Sequence, residues 1–254
     1  MKVFYDRKLS TVVRALVSGP PGEPFAEATV EDLPDPARRY LLHSIEPGTP
    51  LASSVHLKMH GFIRLKPGTT WMPMQAEQVI SVPRGYVWKA KAKKGPFSLS
   101  GGDYYFQGEA HVRFWLWGMI PVVNSRGPDV VRSAAGRLAV ESVLFPPALL
   151  PRDGVRWEPV DNQSGTAHVK VGTEVAPLTL SIGAQGEVRQ IRTRRWGDRT
   201  EDGSYGYIPF GGELGQERTF GGYTIPTKLS VMWWPGTVKQ FEFFRAEIED
   251  AEFR

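Results

Sequence analysis

The sequence predicts a mainly β (α+β) fold: a strongly curved antiparallel sheet or half-barrel of about eleven strands, with N-terminal helices and a central helix (about 128–145) packed in the concave face. Three observations carry this. Glycine (27) and proline (21) are in excess across 254 residues, together about a fifth of the chain against a usual 12% or so, which implies many turns and many short strands. From residue 53 onward the apolar period is two. One long helical segment interrupts two blocks of such strands. We read residues 1–254 as one domain: a helical N-terminal segment (1–50), a first strand block (53–120), the central helix (128–145) and a second strand block (154–250).

The elements follow in order. Leu9, Val12, Val13, Leu16 and Val17 make an amphipathic stripe over 8–18, ended by "SGPPGEP". In "DLPDPARRYLLHSI", Asp35 caps a second helix with Pro36 at its first position. "SVHLKMHGFIRL" sets Val55, Leu57, Met59 and Ile63 against His56, Lys58, His60 and Phe62. "WMPMQAEQVISV" sets Met72, Met74, Ala76 and Ile80 against Trp71, Gln75 and Glu77. "YVWKAKAKK", "FSLSGGDYYFQG" and "EAHVRFWLWG" continue the meander. In the last of these, Val112 and Phe114 oppose His111, Arg113 and Trp115. Six further strands run from "VRWEPV" to "VKQFEFFRAEIED". A long twisted antiparallel sheet curls. The helix at 128–145 is apolar on more than one side, so its place is the mouth of that curl.

That helix also carries the feature on which the functional reading turns. Val130, Ala134, Leu138 and Phe145 share one face, with Glu141 in its middle and Arg137 at its edge. A lone carboxylate costs several kcal/mol in an apolar setting unless paired. Two readings follow: an ion pair with Arg137 or with a strand arginine such as Arg113, or a carboxyl at the floor of a cavity, acting as proton donor or ligand anchor. Glu77 is a second candidate acid, facing Glu141 if its side of the sheet is concave and solvated if it is convex. Asp103 is a third candidate acid, read first as turn chemistry beside Gly101 and Gly102.

Other chemistries find little footing. The +4 net charge permits anionic partners without demanding them. No cysteine is present, so thiol catalysis and thiolate metal sites are excluded. His56 and His60 lie about 13 Å apart on a strand, too far for one metal ion, and we expect neither metal nor cofactor. Nucleophile motifs and phosphate loops are lacking; "GGELGQ" is glycine-rich without a strand–loop–helix setting. In "RQIRTRRWGDR" the alternation splits the arginines between two faces, and we read a solvated edge strand rather than a nucleic-acid patch. No signal-like or membrane-spanning apolar run is seen, and we expect a cytoplasmic protein without a membrane span.

The motif order "LPDPARRYL", "GFIRL", "WMPMQAEQ", "YVWKAKA", "GGDYYFQGEAHVRFWLWGMIPV", "GRLAVESVLFPPALLPRDGVRWEPVD" and "YTIPTKLSVMWW" covers about residues 33–248. It resembles a family of uncharacterised bacterial proteins, a domain of unknown function. The resemblance implies no activity. Its strand count and helix placement look like the lipoprotein-carrier type of curved sheet, in which helices plug a concave hydrophobic cavity.

The expected function is therefore binding of a lipophilic small molecule between sheet and central helix. Trp71, Trp88, Trp115, Tyr105 and Met74 would supply contact, and Arg137 with Glu141 would fix the polar end. The alternative is a cofactor-independent enzyme (cyclase, isomerase or hydrolase) with Glu141 or Glu77 as general acid/base.

Overall fold

A computed structural model describes residues 2–20, 22–152 and 154–254. Three α-helices, α1 (Lys2–Val17), α2 (Asp35–Ser44) and α3 (Pro128–Val140), accompany thirteen strands. The first six are β1 (Val55–Ile63), β2 (Met72–Ser81), β3 (Gly85–Lys94), β4 (Phe97–Phe106), β5 (Glu109–Leu116) and β6 (Ile120–Arg126). After α3 come β7 (Arg156–Asp161), β8 (Ser164–Val171), β9 (Glu174–Ile182), β10 (Val188–Gly197), β11 (Gly206–Phe220), β12 (Tyr223–Trp233) and β13 (Phe241–Phe253).

All thirteen belong to one antiparallel sheet in the order β6-β5-β4-β3-β2-β1-β13-β12-β11-β10-β9-β8-β7. Two meanders meet where β1 pairs with β13, Val55 opposite Phe253. The two outer strands, β6 and β7, are the neighbours of α3 in the chain, so the connection carrying α3 must pass from one edge of the sheet to the other. It does so across one face, touching β5 on one side and β9 on the other. Nine inter-strand spacings separate those strands, about 43 Å if the sheet were flat. A helix about 10–12 Å across can touch both only if the sheet curls around it.

The main core fills this concave face. Ala134, Ala135, Leu138 and Ala139 of α3 share one buried cluster with inward residues such as Leu57, Ile80, Leu180 and Ile191. A second, smaller core lies on the convex face. There Tyr5, Leu9, Val12 and Leu16, one stripe of α1, cover Val79, Val87, Tyr104 and Trp115. Both faces of β2–β5 are therefore apolar for separate reasons, and alternation alone does not say which is concave.

Several expectations need correction. The first helix begins at Lys2, and Pro34 caps α2, with Asp35 and Pro36 inside it. The central helix is α-helical only to Val140 and continues as a 3-10 turn over Glu141–Leu144. Thirteen strands replace about eleven: β6 is exposed along its whole length and shows no buried face, and β11 holds the glycine-rich "GGELGQ" segment, where no strand was expected. β10 is not an edge strand; β9 and β11 flank it. "GGDYY" is not a turn but the middle of β4. There Gly101 is required by close packing, since a Cβ would lie 2.1 Å from the Arg113 carbonyl oxygen.

Candidate functional site

Between the curled sheet and α3 lies a cavity of about 400 Å³. Its walls are aliphatic and aromatic: Met59, Trp88, Ile191, Phe210, Val231 and Trp233 from the sheet, with Val140, Val143 and Leu144 from the helix side. Gly212, opposite Val231 in the β11–β12 pairing, adds space by having no side chain. The polar groups on the wall are Gln78, Glu141, Asp198 and four arginines, Arg64, Arg137, Arg195 and Arg199.

Arg137 is the hub of the buried polar network. Its Nη1 donates to Asp103 Oδ2 at 2.7 Å and its Nε to Glu141 Oε1 at 2.7 Å. Tyr86 donates its hydroxyl to the same Asp103 oxygen at 2.8 Å, and Gln78 Nε2 donates to Glu141 Oε2 at 2.7 Å. The guanidinium stacks over Tyr86 and Trp88, 4.6 and 5.4 Å from their ring centroids. Burial works against its charge, but Asp103 and Glu141 outweigh that and push its pKa above the ordinary guanidinium value. Burial, and then the Asp103 charge, likewise push the Tyr86 phenol up, so it stays a donor.

Glu141 thus has both oxygens engaged. The i to i+4 spacing puts Arg137 one turn before it, as the sequence indicates, and β4 supplies the second carboxylate, Asp103, from mid-strand. Arg113, the other partner considered, lies over Trp115 on the convex side.

Arg195 differs from Arg137. It projects from β10 on the same side as Ile191, and the backbone of α3 comes close enough for Nε to donate to the Ser133 carbonyl at 3.1 Å and Nη2 to Ser133 Oγ at 3.2 Å. Gly136 permits this approach; a Cβ there would stand 3.3 Å from Arg195 Cγ. Phe210 and Trp233 flank the guanidinium at 4.8 and 5.2 Å. Burial, and then the nearby Arg137 charge, pull its pKa down to about 10.

Of the residues expected to form the site, Arg137, Glu141 and Trp88 line the cavity. The others do not. Glu77 is on the convex face, with 62% of its side chain exposed and His56 at 3.8 Å. Trp115 is also on that face, 1% exposed beneath α1, because the α1 stripe needs a matching apolar patch. Met74 is buried between β1 and β3 beyond the cavity wall. Tyr105 lines a separate depression with Arg132 and Glu174. Trp71 lies between the guanidiniums of Arg64 and Arg245 at 4.6 and 4.7 Å. Two residues that sequence reasoning assigned elsewhere are Asp103, read as turn chemistry, and Arg195, read as part of a solvated edge strand. The signal for Arg195 was present in its alternation with Ile191, once β10 is taken as an interior strand.

The histidines are scattered: His43 meets Glu217, His60 meets Glu249 and His168 meets Glu158. Among the described residues no helix is long and apolar enough to cross a membrane.

Among solved structures, the chain is similar to a putative outer membrane lipoprotein-sorting protein domain from Vibrio parahaemolyticus, at 8% identity and a TM-score of 0.43, over 80% of this chain and 86% of that one. It is also similar to a LolA superfamily protein from Nitrosomonas europaea, at 10% identity and a TM-score of 0.43, over 86% and 92% of the two chains. No curated protein matches it. The expected resemblance to a domain of unknown function is borne out over residues 31–253: the chain belongs to the family of unknown function DUF6920.

Proposed function

We propose that the protein binds a lipophilic small molecule in the cavity between sheet and α3. The observation that carries this reading is an unfilled space of about 400 Å³ with aromatic and aliphatic walls. Its size falls in the usual range for small-molecule sites. Each methylene transferred from water contributes about 0.8 kcal/mol. A chain of about eight to ten methylenes gives about 6–8 kcal/mol before the cost of association. A core built only for stability would close such a space, because native interiors are packed to crystal density.

The two carboxylates expected as acid/base partners are not brought together. Glu141 accepts from Arg137 and Gln78 through its two oxygens, and Glu77 stands on the opposite face of the sheet.

The test is titration with phenylnaphthylamine, an uncharged fluorophore that brightens in apolar sites. Wild type should bind it saturably. Val231→Trp adds bulk directly over Gly212 and should lower affinity by at least about tenfold, while remaining folded because it fills existing space. Unchanged affinity in Val231→Trp, or no saturable binding by wild type, would overturn the proposal.

A further inference from the structure

The four arginines of the cavity wall are not equivalent. Arg137 is matched by two carboxylates at 2.7 Å. Arg64 donates twice to the Glu242 carbonyl and stacks on Trp71 and Phe241. Arg199 is exposed and has Asp198 at 3.7 Å. Arg195 meets only neutral acceptors, both on Ser133, and, like Arg64, has no carboxylate within 4.0 Å among the described residues; unlike Arg64, it is held against α3 itself. Its Nη1 has no hydrogen-bond partner among them. Arg195 is half-buried and lines the cavity.

A guanidinium sheltered from water without a counterion is expensive. Its planar fork matches carboxylate and phosphate geometry. Resting on the cavity reading above, we infer that the ligand is a single-chain amphiphile with an anionic head, a carboxylate or a phosphate monoester, and that Arg195 takes the head through its free Nη1 edge. The chain then lies along Ile191, Val231, Phe243 and Leu144. The lowered proton affinity of Arg195 agrees with this: an incoming anion supplies a charge partner that the protein's own side chains do not provide within 4.0 Å among the described residues. This moves the polar end of the site from the Arg137–Glu141 pair, whose charges are matched by each other and by Asp103, to Arg195 on β10.

The experiment compares dodecanoate, dodecyl phosphate and dodecanol as competitors of phenylnaphthylamine near neutral pH. Wild type should prefer at least one of the two anions over the alcohol by about tenfold or more, and which anion wins identifies the head. Arg195→Gln should erase that preference while holding dodecanol affinity within about twofold, which also shows that the cavity is intact. Arg195→Lys, which keeps the charge and loses the fork, should restore part of the preference. Equal affinity of wild type for acid, phosphate and alcohol would overturn the inference and leave the cavity reading standing. So would a preference that survives Arg195→Gln. Failure of all three to compete would overturn both.

Discussion

Replacing Arg137 with methionine should cost the protein about 3–5 kcal/mol, the range for removing one partner of a buried ion pair. The structure places it at the upper end. Arg137 neutralises two carboxylates, Asp103 and Glu141, whose side chains are only 8% and 14% exposed, through contacts of 2.7 Å each. Methionine fills similar volume, so the loss reports charge and hydrogen bonding, not a hole. Asp103 would keep only the Tyr86 hydroxyl and Glu141 only the Gln78 amide. For a chain of this size 1 kcal/mol moves the melting temperature by about 2–4 °C, giving a drop of about 6–20 °C. Urea unfolding followed by circular dichroism measures it. Glu141→Gln should cost less, about 1–3 kcal/mol, because Arg137 keeps Asp103. The double variant should be less destabilised than the sum of the two singles, with a coupling above about 1 kcal/mol. A loss below about 1 kcal/mol for Arg137→Met, or strict additivity, would refute the hub.

Three further outcomes separate the two faces of the sheet and the two arginines. Trp115→Ala should destabilise by about 3–5 kcal/mol, with ligand affinity unchanged, since Trp115 packs under α1 on the convex side; a changed affinity measured by phenylnaphthylamine titration would contradict that placement. Glu77→Gln should leave both unfolding midpoint and affinity unchanged, and a loss of binding would return Glu77 to the site. Arg195→Met should stabilise the ligand-free protein near pH 7. The native pKa of about 10 lies below the ordinary guanidinium value, so the unfolded chain holds this proton more firmly; the penalty is full below pH 10 and fades as pH rises above it. Its upper value is about 3 kcal/mol, reduced by about 1 kcal/mol for the lost Ser133 bonds. A midpoint below wild type at pH 7 would count against it.

The parts of this architecture that were legible in the sequence are those with one dominant cause. Alternation exposed eleven strands because their core-facing side chains differ from their outer ones, and the helical stripe with Glu141 four residues after Arg137 announced the ion pair. Where two causes compete the sequence is silent. Val79 and Trp115 are apolar on account of α1, Ile80 and Phe114 on account of the concave core, so no face could be chosen. Asp103 was hidden by its glycine neighbours, which serve close strand packing and not a turn. Arg195 was hidden among exposed arginines because its burial depends on β11, itself disguised by glycines.

Occupancy of the cavity can be located with the protein's own tryptophans. Trp88 and Trp233 line it, whereas Trp115 lies under α1 and Trp117 is exposed. In a nitrogen-15-labelled sample titrated with dodecanoate, the indole resonances of Trp88 and Trp233 should move together and saturate, and those of Trp115 and Trp117 should stay. Movement confined to Trp117, or no movement at Trp88 and Trp233, would contradict binding under α3.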